Sequence, residues 1–106
     1  MDLKELHKFT EEEHERLLKH YDKLEKSKVK YTMFAKLVEE VGEFSEALLA
    51  SESLQRGDKL NDKKTDINTE LADIILVSFL LSKELNIDLD KALSDKIEKI
   101  KKRNYK

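Results

Sequence analysis

The chain has 106 residues, 42% of them charged, with 21 Lys and Arg against 23 Asp and Glu for a formal net charge of −2. That balance argues against a nucleic-acid or membrane surface, and the absence of Cys excludes disulfides and thiolate metal sites. Two Gly, no Pro and a length suited to one modest core point to a single all-α domain over residues 1–106.

The opening MDLKELHKF has no apolar run that would serve as a signal peptide. The longest uncharged apolar run, Ile74 to Ser82, is far shorter than the roughly 20 residues of a membrane span, so a cytoplasmic location is the default expectation. Periodicity then predicts a first helix from about Leu3 to Lys26, burying Leu3, Leu6, Leu17, Leu18, Tyr21 and Leu24. Its polar middle, Thr10 to Arg16, is expected to pack least well. Glu11 and His14 form a Glu-x-x-His step, which ligates metal in di-iron bundles only when two copies face each other. With one copy, a solvated face is the better reading.

Ser27 to Lys30 reads as a short polar connection. A second helix is predicted from about Thr32 to Leu54, with Leu37, Val41, Phe44 and Leu48 as its apolar stripe and Glu40 at the border. Glu43 lies one turn along on Glu40's side, and Glu46 extends the row, either as a solvated group, the favoured reading, or as a support behind the inner acids. Gly42 inside this helix costs about 1 kcal/mol relative to Ala, which marks a place where another backbone or a ligand comes close.

Gln55 to Thr65 is the clear loop, after which Thr65 or Asp66 caps a third helix running to about Asn86. This helix carries Glu70 and Asp73 one turn apart, on the side of Ile74, Val77, Leu80 and Leu81. It is apolar almost all round from Ile74 to Leu81, more than a four-helix monomer covers, so a subunit interface is expected there. Asp88 caps a last helix with Leu89, Ala92, Leu93, Ile97 and Ile100 inward, and its basic end, KIEKIKKRNYK, suits a helix C-terminus.

Two helices thus each place an acid pair at i, i+3 beside apolar residues. If they pack antiparallel, Glu40, Glu43, Glu70 and Asp73 converge, and like-charge repulsion then demands a divalent cation. Oxygen donors without Cys or His suit Mg²⁺, or Mn²⁺ as a substitute, better than Zn²⁺.

The segments KLVEEVGEFSEAL, TELADIIL and NIDLDKAL, in that order, resemble the MazG-like branch of the all-α NTP pyrophosphohydrolase superfamily. The resemblance implies a four-helix MazG-like bundle completed by oligomerisation, as a homodimer or homotetramer. It also implies Mg²⁺-dependent cleavage of a nucleoside triphosphate between the α and β phosphates, releasing nucleoside monophosphate and pyrophosphate. Carried over by position, Glu40, Glu43, Glu70 and Asp73 are the metal ligands, and Glu39 with Glu40 forms the catalytic pair, Glu39 orienting the attacking water or helping to bind a second ion. Lys96, Lys99 and Arg103 are candidate phosphate contacts, although Ile100 stands where some relatives carry Asn. Phosphoribosyl-ATP pyrophosphohydrolase, of the same superfamily, and a non-catalytic helical oligomer are the alternatives. For base stacking the sequence offers Phe9, Tyr21, Tyr31, Phe34 and Tyr105 without singling one out.

Overall fold

A computed structural model describes residues 1–52 and 66–105. Helix α1 spans Leu3–His20, and the Asp2 carboxylate caps it by accepting the Glu5 N–H at 2.8 Å. It ends well before Lys26, because Leu24 N–H closes a turn on Tyr21 O at 2.9 Å. A 3₁₀ turn at Lys26–Lys28 leads directly into α2, Val29–Ser51. The segment read as a polar connection is therefore already turning into helix, since Val29 is a core residue at 3% exposure. The predicted loop, Gln55 to Thr65, lies outside the described residues. Helix α3 spans Ile67–Glu84 with Asp66 as its cap, and α4 spans Leu89–Lys101 with Asp88 as its cap. Between them Asn86 takes a positive φ of 55°, a conformation that Asn tolerates better than most side chains.

Helices α2 and α3 form the principal packed pair, and α1 lies against α3. The pair runs antiparallel: Met33 meets Val77 and Leu80, while Glu40, two turns further along α2, meets Glu70 near the start of α3. The buried apolar residues are Leu6, Val29, Met33, Ala47, Phe79 and Leu80. On α2 the core face repeats at seven-residue spacing through Met33, Glu40 and Ala47, so Glu40 stands in the middle of the face rather than at its border. Val41 and Leu48, expected inward, are exposed instead, as are Leu3 and Leu18 of α1.

The polar middle of α1 also packs better than its composition suggests. Thr10 has no exposed surface at all, because its hydroxyl donates to Leu6 O at 3.0 Å and leaves only its methyl to be packed. His14 is half-buried and bonds Glu84 at 2.9 Å, so it is not on the solvated face expected of it. His7 Nδ1 lies 2.9 Å from Lys83 Nζ and its Nε2 lies 2.6 Å from Asp90. An ammonium only donates, so Nδ1 accepts and Nε2 carries the hydrogen toward Asp90.

That contact ties the first turn of α4 to α1, yet apolar side chains further along α4 stand open. Leu93, Ile97 and Ile100, expected inward, are exposed. Further apolar side chains stand open on α2 (Phe34, Val38) and on α3 (Leu71, Ile75). The accessible surface of 8482 Å² exceeds the roughly 6,200 Å² of a folded monomer of this mass. Likewise the radius of gyration, 17.0 Å, is well above the ~13 Å of a compact domain of this length. Among the described residues no helix is long and apolar enough to cross a membrane.

Candidate functional site

The antiparallel pairing of α2 and α3 brings Glu40, Glu43 and Glu70 together, each offering a carboxylate oxygen within 4.8 Å of the others. Glu40 and Glu70 are both buried at 5% exposure. Each keeps one oxygen, Oε2, shielded from water with no hydrogen-bond donor on it. A buried acceptor left unpaired costs about 1–3 kcal/mol, and more when charged. The helices therefore hold this arrangement at the expense of stability.

Among the described residues the base paired with the cluster is Lys36, whose Nζ lies 3.1 Å from Glu40 and 3.6 Å from Glu39. Its bond to Glu40 raises its pKa, and its side chain is half-exposed. It answers one oxygen of Glu40 and leaves Glu70 unanswered. Repulsion shows in the titration of Glu43: the Glu40 carboxylate first, then burial, then Glu70 and Glu39 push its carboxyl above the ordinary glutamate range. A group of oxygen donors with excess negative charge and two orphaned oxygens fits a hard divalent cation such as Mg²⁺ or Mn²⁺.

Three of the four expected ligands are thus brought together. Asp73, half-buried one turn along α3, lies outside the group. Glu39 is exposed and held by Lys36. Lys96, Lys99 and Arg103 are exposed on and just after α4, and among the described residues none is ion-paired with the acids. Gly42 faces open space, and among the described residues nothing lies within 4 Å of where a Cβ would stand, so none of them makes the close approach its presence had suggested. Lys36 was missed by the sequence reading. Its only signal is the i, i+3 and i, i+4 spacing to Glu39 and Glu40, with Lys on the N-terminal side, which is the weaker order on a helix.

An all-helical architecture with an acidic cluster shared by two facing helices is the class that the segment pattern implied. The family comparison makes it specific: residues 28–106 match the MazG nucleotide pyrophosphohydrolase domain, and the chain belongs to that family. No curated protein and no solved structure gives a significant match.

Proposed function

We propose that the protein is a Mg²⁺-dependent nucleoside triphosphate pyrophosphohydrolase, acting in the cytoplasm and yielding nucleoside monophosphate and pyrophosphate. The observation that carries this reading is the pair of oxygens on Glu40 and Glu70, buried beside Glu43 with no hydrogen-bond partner, while Lys36, the base paired with the cluster among the described residues, answers only the other oxygen of Glu40. Glu40, Glu43 and Glu70 hold the cation, with Asp73 one turn away as a further ligand. When bound, it neutralises charge between carboxylates and phosphates and makes water a better nucleophile.

The chain's own residues do the rest. Glu39, exposed at the edge of the cluster, orients a water and accepts its proton as the water oxygen bonds to phosphorus. The bridging α–β oxygen leaves with the electron pair of the broken P–O bond. Lys96, Lys99 and Arg103 contact the phosphates, where positive charge stabilises what develops on the leaving group. The working unit is a homodimer or homotetramer, because the chain exposes roughly 2,000 Å² more than a compact monomer and that surplus is the size of a permanent interface.

Incubating the protein with each ribo- and deoxynucleoside triphosphate and Mg²⁺ should release pyrophosphate and monophosphate, and EDTA should stop it. Orthophosphate with a nucleoside diphosphate would reject the mechanism. Sedimentation should show at least a dimer at micromolar concentration, and a stable monomer would reject the assembly.

A further inference from the structure

The chain is fixed to α3 as far as Ile87, whose N–H donates to Ser82 O at 2.9 Å, and it is helical again from Leu89. The direction of α4 therefore turns on Asp88. Its apolar side chains Leu93, Ile97 and Ile100 stand open, and its pairs of Lys91 with Asp95 and Lys101 with Glu98 stay within the helix. Among the described residues, the Asp90 carboxylate is the one side chain of α4 that reaches another helix by hydrogen bond or ion pair, at 2.6 Å from His7 Nε2.

His7 is held ready for that contact from two sides. Lys83 Nζ, 2.9 Å from Nδ1, engages that nitrogen's lone pair and so leaves the ring hydrogen on Nε2, facing Asp90. The buried Phe79 ring, its centroid 5.4 Å away, packs against the imidazole. Glu11 lies 3.7 Å from Lys83 and steadies it in turn. The donor is thus set by α1 and α3 alone, and a donor fixed in advance spends little entropy on its acceptor. The family match begins at residue 28, so α1 brings this contact from outside the segment that carries the acids.

We propose that His7 is a positioning residue, which through Asp90 sets the direction of α4 and with it the place where Lys96, Lys99 and Arg103 meet an anionic ligand of the acid cluster. This rests on those bases being the phosphate contacts of the proposed function. The lever is long. At 1.5 Å per residue, Lys99 stands about 13 Å along the axis from Asp90, so a tilt of about 10° carries it about 2 Å. A hydrogen bond to a phosphate oxygen does not survive that displacement.

His7→Leu fills the space against Phe79 without either hydrogen bond, and Asp90→Ala removes the acceptor. Each should raise KM for a nucleoside triphosphate roughly 3- to 10-fold, the range one hydrogen bond commands, with kcat and Mn²⁺ affinity unchanged. The double variant should be no worse than either single one, and Asp90→Asn, which keeps an acceptor oxygen, should stay close to the parent. Asp90 is 51% exposed, so its variants carry the same test should His7→Leu not fold.

Because the chain has no Cys, spin labels at Ala35→Cys on α2 and Ser94→Cys on α4, both exposed, read the direction of α4 without any substrate. Co-refolded with excess unlabelled chain, the labelled pair should give one narrow distance in the parent and in Asp90→Asn, and a broad one in His7→Leu and Asp90→Ala. If the distances behave in this way but no nucleotide is hydrolysed, the pyrophosphohydrolase reading falls and the latch on α4 stands. A narrow distance in His7→Leu and Asp90→Ala, an unchanged KM in the active enzyme, KM effects that add in the double variant, or Asp90→Asn as impaired as Asp90→Ala would each overturn it.

Discussion

Two places in the molecule take carboxylates out of water, and they are built on opposite plans. Between α1 and α3, Glu84 meets the imidazole of His14 at 2.9 Å, both side chains 17% exposed, while Lys83, Glu11, His7 and Asp90 form a chain of alternating donors and acceptors beside it. Between α2 and α3, Glu70 is buried more deeply with an oxygen that nothing donates to, and its neighbours are two more glutamates. The first arrangement can be justified by packing and hydrogen bonding alone. The second leaves carboxylate oxygens that no described residue answers, and that difference, rather than the number of acids, is what supports the proposal of a binding site there.

The comparison is broken most directly by neutralising one acid in each place. Glu70→Gln should lower kcat/KM by on the order of 100-fold or more, because it removes a donor to the cation. In EDTA the same variant should melt at the parent's temperature or above it, since one of three crowded charges is gone. A melt several degrees below the parent in EDTA would mean that Glu70 has a structural partner after all. His14→Ala should do the reverse. It leaves Glu84 without its hydrogen bond and should cost about 1–3 kcal/mol in denaturant unfolding while leaving metal affinity unchanged.

A pH series sharpens the same contrast. Glu43 is held above the ordinary glutamate pKa, so the folded chain binds more protons than the unfolded one as pH rises through that range. The contribution is fully present below the ordinary value and is lost as pH climbs through the raised one. Metal-free protein should therefore lose stability as pH rises from the ordinary glutamate value through the raised one, and saturating Mg²⁺ should flatten the profile. The smallest effect is expected at Gly42→Ala, where a Cβ meets open space within the chain. It should stabilise by up to about 1 kcal/mol through helix propensity alone. A loss of stability there would show that a partner subunit lies against this position.

Four helices and the meeting of Glu40, Glu43 and Glu70 were legible because 3.6-residue periodicity encodes which side chains share a face. What periodicity does not encode is whose surface covers that face. The stripe Leu93, Ile97, Ile100 was read correctly as apolar and wrongly as inward, since nothing in a sequence distinguishes its own core from a neighbour's. Thr10 was invisible for a different reason: a hydroxyl that bonds its own helix backbone packs like an aliphatic residue while counting as polar. Glu40 was set at the border of the stripe because an unpaired carboxylate in the centre of a core face contradicts the rule that patterning relies on. Functional sites are where that rule is expected to fail.

Lys36 gives the metal-free site a character of its own. Its ammonium is a cation on a short tether, held at high effective concentration against Glu40 and Glu39. On the proposed function, a dissolved cation would have to displace it before taking up all of Glu40, so the cluster would work as an ion exchanger in which one bound positive charge is traded for another. The threshold concentration of metal would then be set partly by a residue that ligates nothing. Lys36→Gln should move that threshold down, with tighter Mn²⁺ binding in calorimetry, and the lysine it removes would in the wild-type chain be released by metal to swing toward the incoming phosphates.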